Sequence, residues 1–259
     1  MKKINSALIA TAFAFAGLTL NSCHSPVNQP TPAANGTLEF HIHTNVGANE
    51  VEGLNEVYQL VDGRKISVSK AQLYISGIQL VKADGTFYDV EGEIVLAQQG
   101  IEEYTVGSVP AGNYKGVRFN VGLSATQNAK TPTSADTALN NSEMWFGSAA
   151  QPEGFVFINF QGKIDTTTAA NGTEAQMQPF VYKVGTNANL KSVIMPEKNF
   201  AVNPEQTGFV HLTADFAKLL NGLELNKAEN ITLNTVAENG EWLGTTLSGN
   251  VGTIFSYEE

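Results

Sequence analysis

Cysteine is almost absent from this 259-residue chain, which has only Cys23. A single thiol excludes a disulfide framework and any thiolate zinc cluster. Basic residues are also scarce, 15 Lys and Arg against 25 Asp and Glu, giving a net charge of -10. Nucleic-acid affinity comes from clustered Lys and Arg that neutralise phosphates, so DNA and RNA partners are not expected. There are four histidines, His24, His41, His43 and His211. No Gly-x-Ser-x-Gly elbow, His-Glu-x-x-His helix, P-loop or Gly-x-Gly-x-x-Gly turn occurs, and nothing selects one histidine as the base of a triad. Twenty-five acidic residues always permit a carboxylate pair, which is no support for glycoside cleavage. The expectation is a protein that is not an enzyme, with no catalytic residue to name.

Apolar runs of membrane-spanning length are missing as well. The amino terminus instead reads Met1-Lys2-Lys3, a mostly apolar run from Ala7 to Leu20, and then Leu20-Asn21-Ser22-Cys23. A positive start, a short apolar stretch and small residues before a cut predict an export signal over residues 1–22. Leu-Asn-Ser-Cys also resembles the bacterial lipobox, which predicts cleavage before Cys23 and lipidation of that residue. Loss of Lys2 and Lys3 with the signal takes the net charge from -10 to -12. The expected product is a soluble domain held to a membrane by its first residue, in the cell envelope, facing the periplasm or the cell surface, with the outer membrane as the expected attachment. Residues 23–36 contain Pro26, Pro30 and Pro32 among Asn, Gln, Thr and Ala, a composition that cannot bury apolar surface and predicts a flexible tether.

From residue 37 to 259 one domain is expected. Leu38, Phe40 and Ile42 alternate with Glu39, His41 and His43, the period-two pattern of a half-buried strand with both histidines on its polar face. Val117, Phe119 and Val121 alternate in the same way, as do Val210, Leu212 and Ala214. Phe155 to Phe160 is apolar on both faces, as in a central strand covered on each side. Leu73 and Ile75 share one parity and Ile78 and Leu80 the other, so a bulge or bend at Gly77 is needed to keep all four in the core. Asp84-Gly85 predicts a hairpin turn, and Asp215 to Gly222 predicts the one short helix. Thr126 to Ser142 and Thr166 to Gln178 lack apolar periodicity and predict long surface loops. Together these features predict an all-β Greek-key sandwich with long loops and one short helix.

His41-x-His43 is the sharpest chemical feature. Residues two apart on a strand lie roughly 6.6 Å apart on one face, within reach of a single ion. Imidazole suits copper, zinc and nickel, and a histidine-based copper or zinc site is what the inventory allows. The alternative is a solvated strand face carrying two histidines without a ligand. His211 is expected to be a surface or inter-loop hydrogen-bonding residue, and Trp145, in Met144-Trp145-Phe146, a packed loop end.

The succession of motifs resembles the MbnP-like family of bacterial extracytoplasmic proteins. The resemblance runs through Phe40 to Gly47, Val68 to Leu80 with Ala83-Asp84-Gly85, Val109 to Tyr114 with Arg118 to Gly122, Met144-Trp145 leading to Gly154-Phe155-Val156-Phe157, Phe180 to Gly185, and Val210 to Asp215. It implies a β-sandwich and, in some members, copper held by histidine and an oxidised tryptophan. The matching positions are His43 and Trp145, and Lys183 stands where the family carries a histidine. Two functions remain open at this point. One is an envelope protein that binds copper through His41, His43 and Trp145. The other is a metal-free structural or interaction lipoprotein whose loops meet an envelope protein or a glycan.

Overall fold

The computed structural model describes residues 34–132, 138–148 and 151–258. Cys23, His24, the expected signal and nearly all of the expected tether lie outside the described residues. Strand Asn35–Val46 begins two residues before the expected start of the domain. Its outline follows from side-chain alternation, with Leu38, Phe40 and Ile42 buried and Glu39, His41 and His43 turned outward.

This strand is central to a five-stranded sheet. It pairs in parallel with Thr207–Asp215, and antiparallel with Glu103–Pro110 and Asn49–Glu50; Phe255–Tyr257 adds to the far side of Thr207–Asp215. The second sheet has eleven strands and is built around Lys65–Lys82, which pairs with Gln151–Ile164 along its first half and Gly112–Val121 along its second. The sheets pack face to face through aromatic contacts. Phe40 meets Phe119 at 6.2 Å between ring centroids and Phe119 meets Phe255 at 4.9 Å, while Phe216, just past the end of Thr207–Asp215, packs on Phe160 at 5.2 Å. The expected all-β, sandwich-like fold is what forms, and its core is continuous from Leu38 to Phe255.

The long strand changes register between Ser76 and Gln79, with Gly77 at φ +57°. That bulge keeps Leu73, Ile75, Ile78 and Leu80 all buried despite their change of parity. The hairpin at Asp84-Gly85 forms, with Gly85 at φ +87° and strand Phe87–Asp89 returning along the long strand. Gln151–Ile164 is an interior strand, and Phe155 through Phe160 are buried. Its second face supports a smaller apolar cluster of Tyr74, Leu123, Leu139, Met144, Phe146, Phe155, Val156 and Phe157.

The helices differ from expectation in several respects, among them a short helix, Ala125–Asn128, at the start of the first expected loop. Asp215 does cap a helical segment, accepting from the Ala217 amide at 3.1 Å, but Phe216–Leu220 is a 3-10 turn. Among the described residues the longest helix is Trp242–Asn250, which has no strong sequence signature. Its two glycines and its exposed Trp242 blur the apolar stripe, although Leu243 and Leu247 are buried one turn apart. No helix among the described residues is long and apolar enough to cross a membrane.

Candidate metal centre

Alternation places His41 and His43 on the outer face of the five-stranded sheet, two residues apart, with imidazole rings stacked at 4.8 Å and 23°. The parallel partner brings in a third. Register pairs His41 with His211, whose side chain leaves the same face, and the two rings lie 5.0 Å apart. Every histidine of the described residues therefore sits in one patch.

Three glutamates complete it, each delivered by a different segment. Glu50 returns on the hairpin that turns at Gly47 (φ +64°), and its carboxylate lies 2.7 Å from His43 Nδ1. Glu102 immediately precedes strand Glu103–Pro110; its carbonyl accepts from the Ile42 amide at 2.8 Å, and its carboxylate reaches His41 Nε2 at 2.8 Å. Glu258 follows the last strand and stands between two rings, 3.5 Å from His43 Nε2 and 3.4 Å from His211 Nδ1. One ligand atom from each of His41, His43 and Glu102 falls within 4.8 Å of the others.

Electrostatics reflect this packing of acid against base. The hydrogen bond that His43 donates to Glu50 pushes the imidazole above its ordinary value against a smaller opposing effect of burial, and the charges of Glu50, Glu258 and Glu102 add to the rise. The hydrogen bond from His41 holds the Glu102 carboxyl below the usual range, again against burial. His41 and His43 are mostly covered, with side chains 23% and 19% exposed, whereas His211 is 47% exposed. The patch is thus reachable from solvent, while its two central rings are held in place. A carboxylate at Nδ1 of His43 favours the tautomer with the proton there and leaves the lone pair on Nε2, the nitrogen that faces Glu258.

Trp145 lies elsewhere. It belongs to strand Trp145–Ser148 of the larger sheet, pairs with Phe155 and packs on the smaller apolar cluster. Its indole N–H is buried without a hydrogen-bond partner among the described residues. Nearby side chains on that sheet are Gln72, Asn159 and Gln161, joined by hydrogen bonds, with Glu143 paired to Lys70. Lys183 is in register with Asn159. That surface offers amides and one carboxylate, Glu143, already paired with the Lys70 ammonium, and no imidazole among the described residues, so its donor set suits copper less well. The histidine patch does suit it, because imidazole nitrogens and carboxylate oxygens are copper ligands.

Sequence reasoning places His41 and His43 together but treats His211 as separate and names none of the three glutamates. The polar parity of His211 was the available signal. What it lacks is the strand pairing, made across 170 positions, that sets it beside His41.

The model of the MbnP family matches residues 35–236. The chain belongs to the MbnP family. Among solved structures, MbnP from Methylosinus trichosporium resembles this MbnP-family chain at 15% identity, with a TM-score of 0.53 over 74% of this chain and 80% of that one, a likeness that shows a shared fold. No curated protein matches the sequence. The family match ends before Trp242 and Glu258, so the carboxylate between His43 and His211 lies outside it.

Proposed function

We propose that this MbnP-family protein is a lipid-anchored, extracytoplasmic binding protein that takes up copper at the histidine face of its five-stranded sheet. The observation that carries the reading is the stacked His41–His43 pair with Glu102 close enough to share one ion. His41, His43 and Glu102 would hold the metal, and Glu50 would orient His43. Copper bound there supplies an exchangeable ion; the protein's own residues bind it, hold their rings in place and leave one side open to solvent. The anchor is the lipid on Cys23, and the compartment follows from the export signal.

Calorimetric titration of the full chain, purified in detergent, with copper tests the site. The expected result is saturable binding that His43→Ala weakens by at least about 10-fold, the scale set by losing a ligand or its support. Unchanged affinity in His43→Ala removes the site.

A metal-free interaction lipoprotein is the second reading. It is favoured by the fact that each histidine already has a glutamate partner, so the patch is electrostatically self-sufficient. Absence of copper binding, together with a stable partner recovered from solubilised envelope, supports that alternative.

A further inference from the structure

The proposed copper site at His41 and His43 leaves out two groups whose placement the fold controls closely. We infer that His211 and Glu258 complete this centre, and that the ion it takes is an oxidised, divalent one, copper(II), rather than copper(I). The inference rests on the metal-binding reading above and extends it to the ligand set and the oxidation state.

His211 is placed by the sheet itself. In the parallel pair, Phe40 faces Val210 and Ile42 faces Leu212, all four in the core, so the residues between them must both point outward. A one-residue slip that separated His41 from His211 would turn Val210 and Leu212 out to water. The juxtaposition is thus protected by the burial of its neighbours.

Glu258 is placed by its backbone. Its N–H donates to the His211 carbonyl at 3.2 Å, and its own carbonyl accepts from Lys198 Nζ at 2.7 Å. With the main chain held at both points, the side chain projects between His43 Nε2 and His211 Nδ1. Since Glu50 occupies Nδ1 of His43, the Nε2 that faces Glu258 is the nitrogen left to bind an ion.

The donor atoms select the ion. Three imidazoles and three carboxylates present nitrogen and oxygen only. The methionines among the described residues, Met144, Met177 and Met195, are 0%, 7% and 6% exposed and belong to the interior, and the chain's one cysteine, Cys23, lies outside the described residues. Copper(I) is stabilised by soft thiolate and thioether sulfur, whereas copper(II) and zinc(II) accept imidazole and carboxylate, with copper(II) the tighter. Three negative carboxylates also attract a doubly charged ion more strongly than a singly charged one.

The test is a competition titration of the full chain in detergent with copper(II), zinc(II) and, anaerobically under reductant, copper(I). It is run on the wild type and on His43→Ala, His211→Ala and Glu258→Gln, with circular dichroism to verify folding. The wild type is expected to hold copper(II) at least about 10-fold more tightly than either other ion. His211→Ala and Glu258→Gln are each expected to weaken copper(II) by about 10–100-fold. The electron paramagnetic resonance spectrum of the copper(II) form should show three coupled nitrogens, reduced to two in His211→Ala. If His43→Ala weakens binding while His211→Ala and Glu258→Gln bind like the wild type, the extended ligand set is wrong and the simpler site stands. Tighter binding of copper(I) overturns the assigned oxidation state alone. A wild type that binds none of the ions overturns both readings.

Discussion

Asp165 shows how a single side chain secures a loop that has no regular structure. It is fully buried, with Oδ1 accepting from the Thr167 amide and Oδ2 from the Gly172 amide, each at 2.8 Å, while the Arg64 guanidinium donates to the Asp165 and Thr167 carbonyls. Burial alone would raise the carboxyl, but these amides, the Thr167 hydroxyl and the Arg64 charge outweigh it and hold it below the usual range. A folded-state value below the unfolded one, about 3.9, stabilises the protein above that pH and loses its effect as pH falls through the folded value. Asp165→Asn keeps one acceptor and turns an NH2 toward the other amide, so it should cost about 2 kcal/mol near neutral pH. Urea denaturation should show that cost shrinking as pH falls below about 4. At the same scale, the Tyr104 hydroxyl accepts from the Gln98 amide at 2.8 Å and bonds the Ile101 carbonyl at 2.7 Å, so it ties down the turn that presents Glu102. Burial pushes that phenol up to about 12, so it stays protonated across the physiological range.

At the scale of elements, the bulge and the carboxy-terminal helix are the informative cases. Gly77 lies in the left-handed region, and a Cβ there would approach Asn120 Nδ2 to 2.6 Å. Because that neighbour is the movable end of a side chain, Gly77→Ala should cost mainly its backbone strain, about 1–2 kcal/mol, readable as a lowered thermal midpoint. This bulge was legible from the parity change between Ile75 and Ile78. The helix Trp242–Asn250 was not, because what fixes it is a polar network rather than a stripe. Buried Asn239 donates to the Lys183 and Thr235 carbonyls, both at 2.9 Å, accepts from the Gly185 amide at 2.7 Å, and bonds Asn189, which accepts from Ser248 on the helix. Asn239→Ala would strand several of these groups and should cost about 3 kcal/mol, measured by chemical denaturation. An asparagine between Glu238 and Gly240 carries no sign of burial in the sequence, which is why that link escapes a reading by periodicity.

For the whole molecule, local alternation sufficed for the sandwich, since Leu38–Ile42, Val117–Val121 and Val210–Ala214 each reveal their buried face directly. The centre was only half legible, because His41 and His43 are neighbours in sequence whereas His211, Glu102 and Glu258 arrive through pairings between distant segments. The tether belongs to this scale as well. If Cys23 carries the proposed lipid, Cys23→Ala should move the protein from the membrane fraction to the soluble one, and mass spectrometry of the wild type should find the acyl groups on that residue. The central claim, that the outer face of the five-stranded sheet is the metal centre of this MbnP-family protein, is tested most directly by anomalous diffraction at the copper edge from crystals grown with copper(II). A peak is expected among the imidazoles of His41, His43 and His211; a peak beside Trp145 and Lys183, with none at the histidines, would place the metal elsewhere.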